Sequence, residues 1–463
     1  MAKPHLAAFR SFAAAMKPTE ERSMTKFKAS TRKDLPQIAE KLKLNKEQII
    51  DMQAVSAVLP FRVNDYVVEN LIDPSDVPDD PMFQLTFPQR GMLEEVDYQR
   101  MLDLVVKGAS DAEIKLTADE IRGKLNPHPA GQMELNVPKL DGEVVAGMQH
   151  KYQETVLFFP TQGQTCHAYC SYCFRWAQFI GDADLKFASK EAAELARYVR
   201  ENPQVSSVLI TGGDPMVMKT SILRRYIEPL LSEDLPNLHS IRIGTKALAY
   251  WPHRFTEGED ADDFLRLIGE VKAAGKHLAI MAHSSHSREL EPDIAQLAVK
   301  RILDAGAVIR CQAPLIRKVN DNANVWAQLW RKQVQLGMVP YYMFVERDTG
   351  AKAYFEVPLT RAYKVFTEAY NQVSGLCRTV RGPSMSASPG KVLVDGVTEV
   401  GGEKVFALKF LQGRDPSWVN KLFFAKYDPK ATWLDGLKPA FGEEHFFFEQ
   451  PTEKNQPESA PKP

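Results

Sequence analysis

Three cysteines stand within one short stretch, Cys166-His-Ala-Tyr-Cys170-Ser-Tyr-Cys173, and the whole chain has only 5. The stretch directly follows the apolar run Val156–Thr161. Such clustering is the wrong distribution for a disulfide framework and indicates a metal site in a reducing compartment. With Cys-x3-Cys-x2-Cys spacing on a tight loop, three thiolates can bind three irons of a [4Fe-4S] cluster and leave the fourth iron open. A structural zinc site, with His150 or His167 as fourth ligand, is the other use of the same residues, although zinc ligands usually come as two separated pairs. Chance burial of three thiols is a poorer account, because the loop is otherwise polar and aromatic.

Around this loop the sequence alternates short β-rich runs with helical patterns, the rhythm of parallel strands joined by crossover helices. Six strands are predicted: Val156–Thr161, Ser206–Thr211, Ser240–Thr245, His277–Ala282, Val308–Ala313 and Val339–Val345. Each is mostly apolar without alternation, as expected where both faces are covered. Apolar residues spaced by three and four predict helices over Lys190–Asn202, Ser221–Leu231, Asp260–Ala274, Pro292–Ala305, Val325–Leu336 and Thr360–Val373. Gly275 and Gly337 stand just past two of these, where a left-handed cap favours glycine. The fold expected is α/β, a partial (β/α)6 barrel over residues 151–375, with its chemistry on loops after the strand C-termini. Residues 1–150 read as an N-terminal helical region and arm: Lys33–Ala57 helical, Pro60–Pro81 loop-rich, and two helices in Asp97–Lys124. Residues 376–450 read as a small α+β extension with strands Lys391–Val394 and Lys404–Leu411. The polar, Pro-rich tail 451–463 is expected to be disordered.

Charge narrows the partners. Lys and Arg number 58 against 59 Asp and Glu, so no net field favours nucleic acid, and no basic patch with interleaved aromatics suggests RNA. A small-molecule substrate is the better default. No apolar run approaches the roughly 20 residues that cross a bilayer. The stretch Leu6–Met16 is interrupted by Arg10 and Ser11 and reads as a helical arm, with an organellar transit peptide as the alternative. A cytoplasmic location is expected.

The second strand ends in Thr211-Gly212-Gly213-Asp214-Pro215, by itself a tight strand-to-helix turn. Taken with the cysteines and with Tyr172 just before the last of them, it resembles the glycine-rich motif of the radical S-adenosylmethionine (SAM) superfamily. Val208–Asp214, Ile241–Thr245, Gln312–Asp321 and Pro340–Tyr342 are similar to successive barrel segments of the lysine 2,3-aminomutase family, and the resemblance runs from roughly Phe61 to Leu393. It implies that Cys166, Cys170 and Cys173 hold a [4Fe-4S] cluster whose open iron is chelated by SAM, and that reduction releases a 5′-deoxyadenosyl radical that abstracts hydrogen. It further implies SAM contacts from Tyr172, Gly212, Gly213, Asp214 and Gln312, and a substrate carboxylate held bidentately by Arg175, for which a structural ion pair is the plainer use. An electron donor of flavodoxin or ferredoxin type and a homo-oligomer are implied by the same analogy.

The chain also departs from that family, whose members attach pyridoxal phosphate (PLP) to a lysine in a glycine-rich loop. Here the corresponding stretch offers Arg381-Gly-Pro-Ser-Met385. Lys391 is the nearest lysine, though it matches a later strand position. Thr155 stands where the family places an arginine near the PLP phosphate. Two acids that recognise the lysine ammonium fall near Arg347 and Arg381, with Glu346 and Asp348 flanking the first. Such a reversal implies an anionic substrate, carboxylate or phosphate, because an unpaired buried cation is costly; pairing with local acids is the alternative. His283 and His286 either line the pocket or form a polar loop pair, and Cys311 and Cys377 read as small buried hydrophobes. The leading expectation is thus a radical SAM enzyme that abstracts hydrogen from a small anionic substrate without PLP. A PLP-dependent aminomutase, a non-catalytic iron-sulfur protein and a maturase acting on protein or RNA are the alternatives.

Overall fold

A computed structural model describes residues 25–126, 136–180, 188–189 and 191–449. The expected arm before residue 25 and the tail 451–463 lie outside the described residues. One eleven-stranded sheet organises the chain. Its strands are β1 (Met148–Tyr152), β2 (Thr155–Phe158), β3 (Ser207–Ile210), β4 (Ser240–Thr245), β5 (His277–His283), β6 (Val308–Leu315), β7 (Val339–Val345), β8 (Arg381–Ser386), β9 (Gly390–Val400), β10 (Glu403–Gly413) and β11 (Leu422–Lys426). The six expected strands are β2 to β7, side by side and parallel in sequence order. Helices α1 (Ala192–Glu201), α2 (Thr220–Ile227), α3 (Gly258–Ala273), α4 (Asp293–Asp304), α5 (Ala323–Gln335) and α6 (Leu359–Asn371) follow β2 to β7 in turn, each within a few residues of its predicted span.

Four expectations need correction. A seventh parallel strand, β8, pairs with β7 where sequence reading placed no strand. Gly382-Pro383 concealed it, because proline is normally excluded from a strand interior. The register shifts beside this pair, and a Cβ on Gly382 would lie 2.6 Å from the Met343 carbonyl oxygen, so only glycine fits. Secondly, β2 ends at Phe158, and Thr161–Gly163 is a 3-10 turn. Thirdly, β2, β3 and β4 do alternate between buried and half-buried residues: their outer face packs under the helices while Leu157, Leu209 and Arg242 face a lumen. Lastly, Pro60–Pro81 is loop only in part: a strand at Arg62–Asn64 and a helix at Asp65–Asn70 precede the loop 71–80.

In the N-terminal region, Lys33–Ala57 divides into helices Leu35–Leu42 and Lys46–Val58, broken at Lys43 in a left-handed conformation (φ 55°) and restarted by the Asn45 cap. Their apolar faces share one core with Ala168, Tyr172 and Trp176 of the cysteine loop. Beyond β8 the chain forms an antiparallel meander over an aromatic core that includes Phe410, Trp418, Phe423 and Phe446. Lys151 of β1 donates to the Ala387 carbonyl just after β8 at 2.5 Å, so the parallel part of the sheet curls until its two edges meet. No helix of the described residues is long and apolar enough to cross a membrane.

Asn64 joins these parts. Its side chain donates to the carbonyls of His167 (3.1 Å) and Tyr250 (3.0 Å) and accepts from the Val67 N–H (3.0 Å). Replacing Asn64 with Ala leaves buried backbone groups unsatisfied and removes a helix cap, at a cost of about 2–4 kcal/mol. Urea unfolding is expected to show a loss of that size; a loss below about 1 kcal/mol would show that the cysteine loop is held without it.

Candidate active site

The cysteine loop is tied down by backbone bonds from the N-terminal region: the Tyr169 N–H donates to Arg62 O (2.8 Å) and the Ser171 N–H to Leu85 O (2.9 Å). Cys173 N–H to Cys170 O (3.0 Å) and Trp176 N–H to Cys173 O (3.0 Å) close the loop on itself. All three thiols are free. Burial pushes each of them up, Cys173 to about 12, and for Cys166 and Cys173 the neighbouring thiols add to the shift. Thiols this close together and this buried ionise only when a cation joins them, which iron does. Among the described residues no three His, Cys, Asp or Glu side chains converge on a point that would hold a single ion, whereas cubane thiolates bind separate irons. His150 is engaged elsewhere, Nδ1 with Tyr198 Oη at 2.6 Å and Nε2 with Gln153 O at 3.0 Å, which removes it as a zinc ligand.

At the end of β3 the paired glycines are dictated by contact. Gly212 has φ +148°, and a Cβ there would meet Gln164 Nε2 at 2.3 Å, while one on Gly213 would meet the Thr165 backbone at 2.6 Å. The chain just ahead of Cys166 therefore lies against the glycine turn, and the Asp214 N–H donates to Thr165 O (2.7 Å). The Asp214 carboxylate accepts from Met216 N–H (2.9 Å), Thr245 Oγ1 (2.7 Å) and Lys246 N–H (2.9 Å). Burial lifts it to about 6 against the pull of those bonds. Asp214 thus braces the ends of β3 and β4.

Tyr172 points toward the end of β5, its Oη 2.8 Å from His283 Nε2 and 3.3 Å from Ser285 Oγ. His283 is held neutral by burial and by Lys246. In the sheet Gln312 is level with His283 on one side and Tyr342 on the other, so Tyr172, His283 and Gln312 come together at the strand C-termini. His286 instead caps a 3-10 turn, accepting from the Arg288 N–H at 3.2 Å. Sequence reading missed Lys246, Glu289 and Tyr250: a buried ion pair of 2.5 Å joins the first two, and Tyr250 Oη lies 3.3 Å from Cys170 Sγ. Lys246 directly follows the similar segment Ile241–Thr245, which was the available signal.

Cations fill the lumen. Arg175 is buried with its guanidinium 4.4 Å from the Phe159 ring and 5.2 Å from that of Phe174, and burial lowers it to about 10. Arg347 shares the Phe174 ring at 5.3 Å, and Asp348 and Asp435 act on it. Arg381 sits 4.5 Å from the Tyr341 ring and 4.2 Å from that of Tyr342, on which Lys391 also lies at 4.1 Å. Sequence reading missed Lys151, Arg242 and Arg414. Burial, then Arg381, Arg242 and Lys151, lower Lys391 to about 7. Burial, then Arg414 and Arg347, do the same to Lys151, also to about 7. Cys311 and Cys377 are buried.

No family model matches the chain. A protein of Aquifex aeolicus named "Putative L-lysine 2,3-aminomutase" is 30% identical over 291 residues, 63% of this chain and 74% of that protein. The L-lysine 2,3-aminomutases of Bacillus subtilis and Clostridium subterminale are 26% and 27% identical, with 46% and 52% of their lengths covered. Among solved structures, a radical SAM methyltransferase from Sphaerobacter thermophilus superposes with a TM-score of only 0.37 at 15% identity, over 62% of this chain and 92% of that one. A cysteine loop after the first of seven parallel strands, with a glycine turn packed against it, defines the chain as a radical SAM enzyme. It belongs to the lysine 2,3-aminomutase family.

The two low lysines make stability depend on pH. In the unfolded chain a lysine keeps its proton to near 10.5, whereas Lys391 and Lys151 release theirs near 7 in the fold. Between those values the unfolded state binds more protons, so stability rises with pH; below about pH 7 the full burial penalty applies. Melting temperature is expected to climb between about pH 7 and about pH 10, and Lys391→Met to lessen the slope. Equal slopes in the two proteins would mean that Lys391 is solvated.

Proposed function

We propose that Cys166, Cys170 and Cys173 carry a [4Fe-4S] cluster, that Tyr172, Gly212, Gly213, Asp214 and Gln312 border SAM, and that the substrate is a small anionic molecule in the lumen. The observation that carries this reading is the adjacency of three clustered, half-buried thiols to a lumen whose charged residues are predominantly cations. When bound, the cluster and SAM supply one-electron reduction and hydrogen-atom abstraction. The chain's own part is to bind, orient and exclude water. Arg175, packed against two aromatic rings, is set to hold a carboxylate close to the cysteines. Arg347 and Arg381 add positive charge further along the lumen, and neutral His283, bonded to Tyr172, orients a polar substrate group. In this reading residues 1–150 clasp the cysteine loop, 151–375 form the catalytic sheet and 376–450 wall the lumen. An electron donor of flavodoxin or ferredoxin type, a cytoplasmic setting and self-association belong to the same reading.

The first version of this proposal has no PLP. A second, an aminomutase with PLP on Lys391, is favoured by one observation: the Lys391 amine is buried in the lumen and, near 7, substantially neutral at physiological pH, the state in which an amine attacks an aldehyde. Lys391 would then hold the cofactor covalently with Arg381 beside its phosphate, and the cofactor would supply an electron sink at the substrate nitrogen.

Anaerobic reconstitution with iron and sulfide is expected to load about four irons per chain and, with dithionite and SAM, to yield 5′-deoxyadenosine. Cys170→Ala is expected to abolish both. Borohydride reduction followed by mass analysis of the Lys391 peptide separates the versions: unmodified lysine supports the first, a pyridoxyl adduct the second. Wild-type protein that takes up no cluster would overturn the proposal.

A further inference from the structure

The short helix after β4, Ala247–Tyr250, ends on a side chain with no part in the function proposed above. Tyr250 is buried, and its Oη lies 3.3 Å from Cys170 Sγ. Its backbone is fixed on both sides: the Tyr250 N–H donates to the Lys246 carbonyl (2.9 Å), and the Tyr250 carbonyl accepts from Asn64 Nδ2 (3.0 Å), the amide that also holds the His167 carbonyl. The Lys246 ammonium lies 4.7 Å from the Tyr250 ring and is kept there by Glu289, 2.5 Å away. Glu289 accepts in turn from the N–H groups of Ser285 and His286. A buried ion pair is a weak source of stability, whereas a cation on a ring face draws electron density from the ring and strengthens its hydroxyl as a donor. Tyr172 also faces Cys170, but its hydroxyl is engaged by His283 Nε2 at 2.8 Å and Ser285 Oγ at 3.3 Å. A thiol and a phenol can bond in either direction, but a cysteine bound to iron has lost its proton and only accepts. The phenol is then the donor.

We propose that Tyr250 is a positioning residue for the iron-sulfur centre, its hydroxyl donating a hydrogen bond to the Cys170 thiolate and so raising the potential at which the cluster is reduced. The inference rests on the assignment of Cys166, Cys170 and Cys173 as cluster ligands. Uptake of one electron from a low-potential donor adds negative charge to the irons and their sulfurs, with no bond formed or broken. A donor aimed at one of those sulfurs is worth more to the reduced state than to the oxidised one. Burial works the other way, since desolvation disfavours added charge. The Tyr250 hydroxyl, with Lys246 behind its ring, offsets part of that penalty at Cys170, on which Lys246 and Glu289 also act.

The test is an anaerobic redox titration of the reconstituted full-length protein without SAM, comparing wild type with Tyr250→Phe, with iron content and melting temperature measured on the same preparations. Tyr250→Phe removes the hydroxyl alone; it is expected to take up as much iron as wild type and to lower the one-electron equilibrium constant about tenfold, a fall in midpoint potential of about 59 mV. Tyr354→Phe, which loses a bond to Gln84 Oε1 (2.7 Å) beside the same core, is expected to leave the potential unchanged. If Tyr250→Phe takes up less iron, 3-fluorotyrosine incorporated in place of Tyr250 keeps the ring and the hydroxyl; its more acidic hydroxyl is a stronger donor and is expected to raise the potential. A midpoint in Tyr250→Phe equal to or above that of wild type, a midpoint in the fluorinated protein equal to or below it, or an equal fall in Tyr354→Phe would overturn the assignment. A tyrosine needed only for packing would lower the melting temperature and leave the potential where it was. Wild-type protein that takes up no iron would overturn the cluster reading itself and this inference with it, so the two failures register separately.

Discussion

Three half-buried thiols on one loop resist ionisation and offer one another little attraction, so the polypeptide must hold them together by other means. Everything around the loop serves that constraint. From one side the N-terminal region supplies Asn64 and the carbonyls of Arg62 and Leu85. From the other, the glycine turn after β3 lies so close to Gln164-Thr165 that neither glycine tolerates a Cβ. Asp214 then fastens that turn to the end of β4. A helical region with no chemistry of its own thus becomes part of the site, because the loop and the N-terminal helices share one core.

The same loop end meets a second constraint of opposite sign. At the cysteines burial disfavours the thiolate; in the lumen charge is present as lysine and arginine, and Arg347 there has Asp348 and Asp435 near it. Lys246 stands between the two, paired with Glu289 and 4.7 Å from the ring of Tyr250, whose hydroxyl neighbours Cys170. Its charge is thereby compensated within the protein.

Much of this was legible in the sequence. Strand and helix order was, because β/α alternation is written in apolar runs and glycine caps, and so were the cysteine loop and the glycine turn, where spacing alone limits the chemistry. The seventh parallel strand was hidden by Gly382-Pro383, since no local rule announces a proline accommodated by a register shift. The helix over Asp65–Asn70 was hidden by short apolar segments among prolines. Arg347 and Arg381 were visible as charge reversals within a similar sequence. Lys151 and Arg242 were not, because a lysine on an edge strand and an arginine in a β-run read as solvent-facing until the sheet is known to curl.

That curl also changes what the C-terminal meander is for. The parallel strands and their loops supply the cysteines, the glycine turn, His283 and Gln312. Arg381 opens β8, Lys391 follows the turn into β9, and Arg414 comes just after β10, where its Nε donates to the Ser388 carbonyl at 2.8 Å. Of the residues about Lys151, Lys391 and Arg414 therefore come from the meander, while Arg381 opens β8 and Arg347 follows β7. Removing the aromatic core beneath it would leave the thiols and the glycine turn in place while dispersing the cations. On the function proposed above, the choice of substrate and the generation of the radical fall to different stretches of chain, and change in one need not disturb the other.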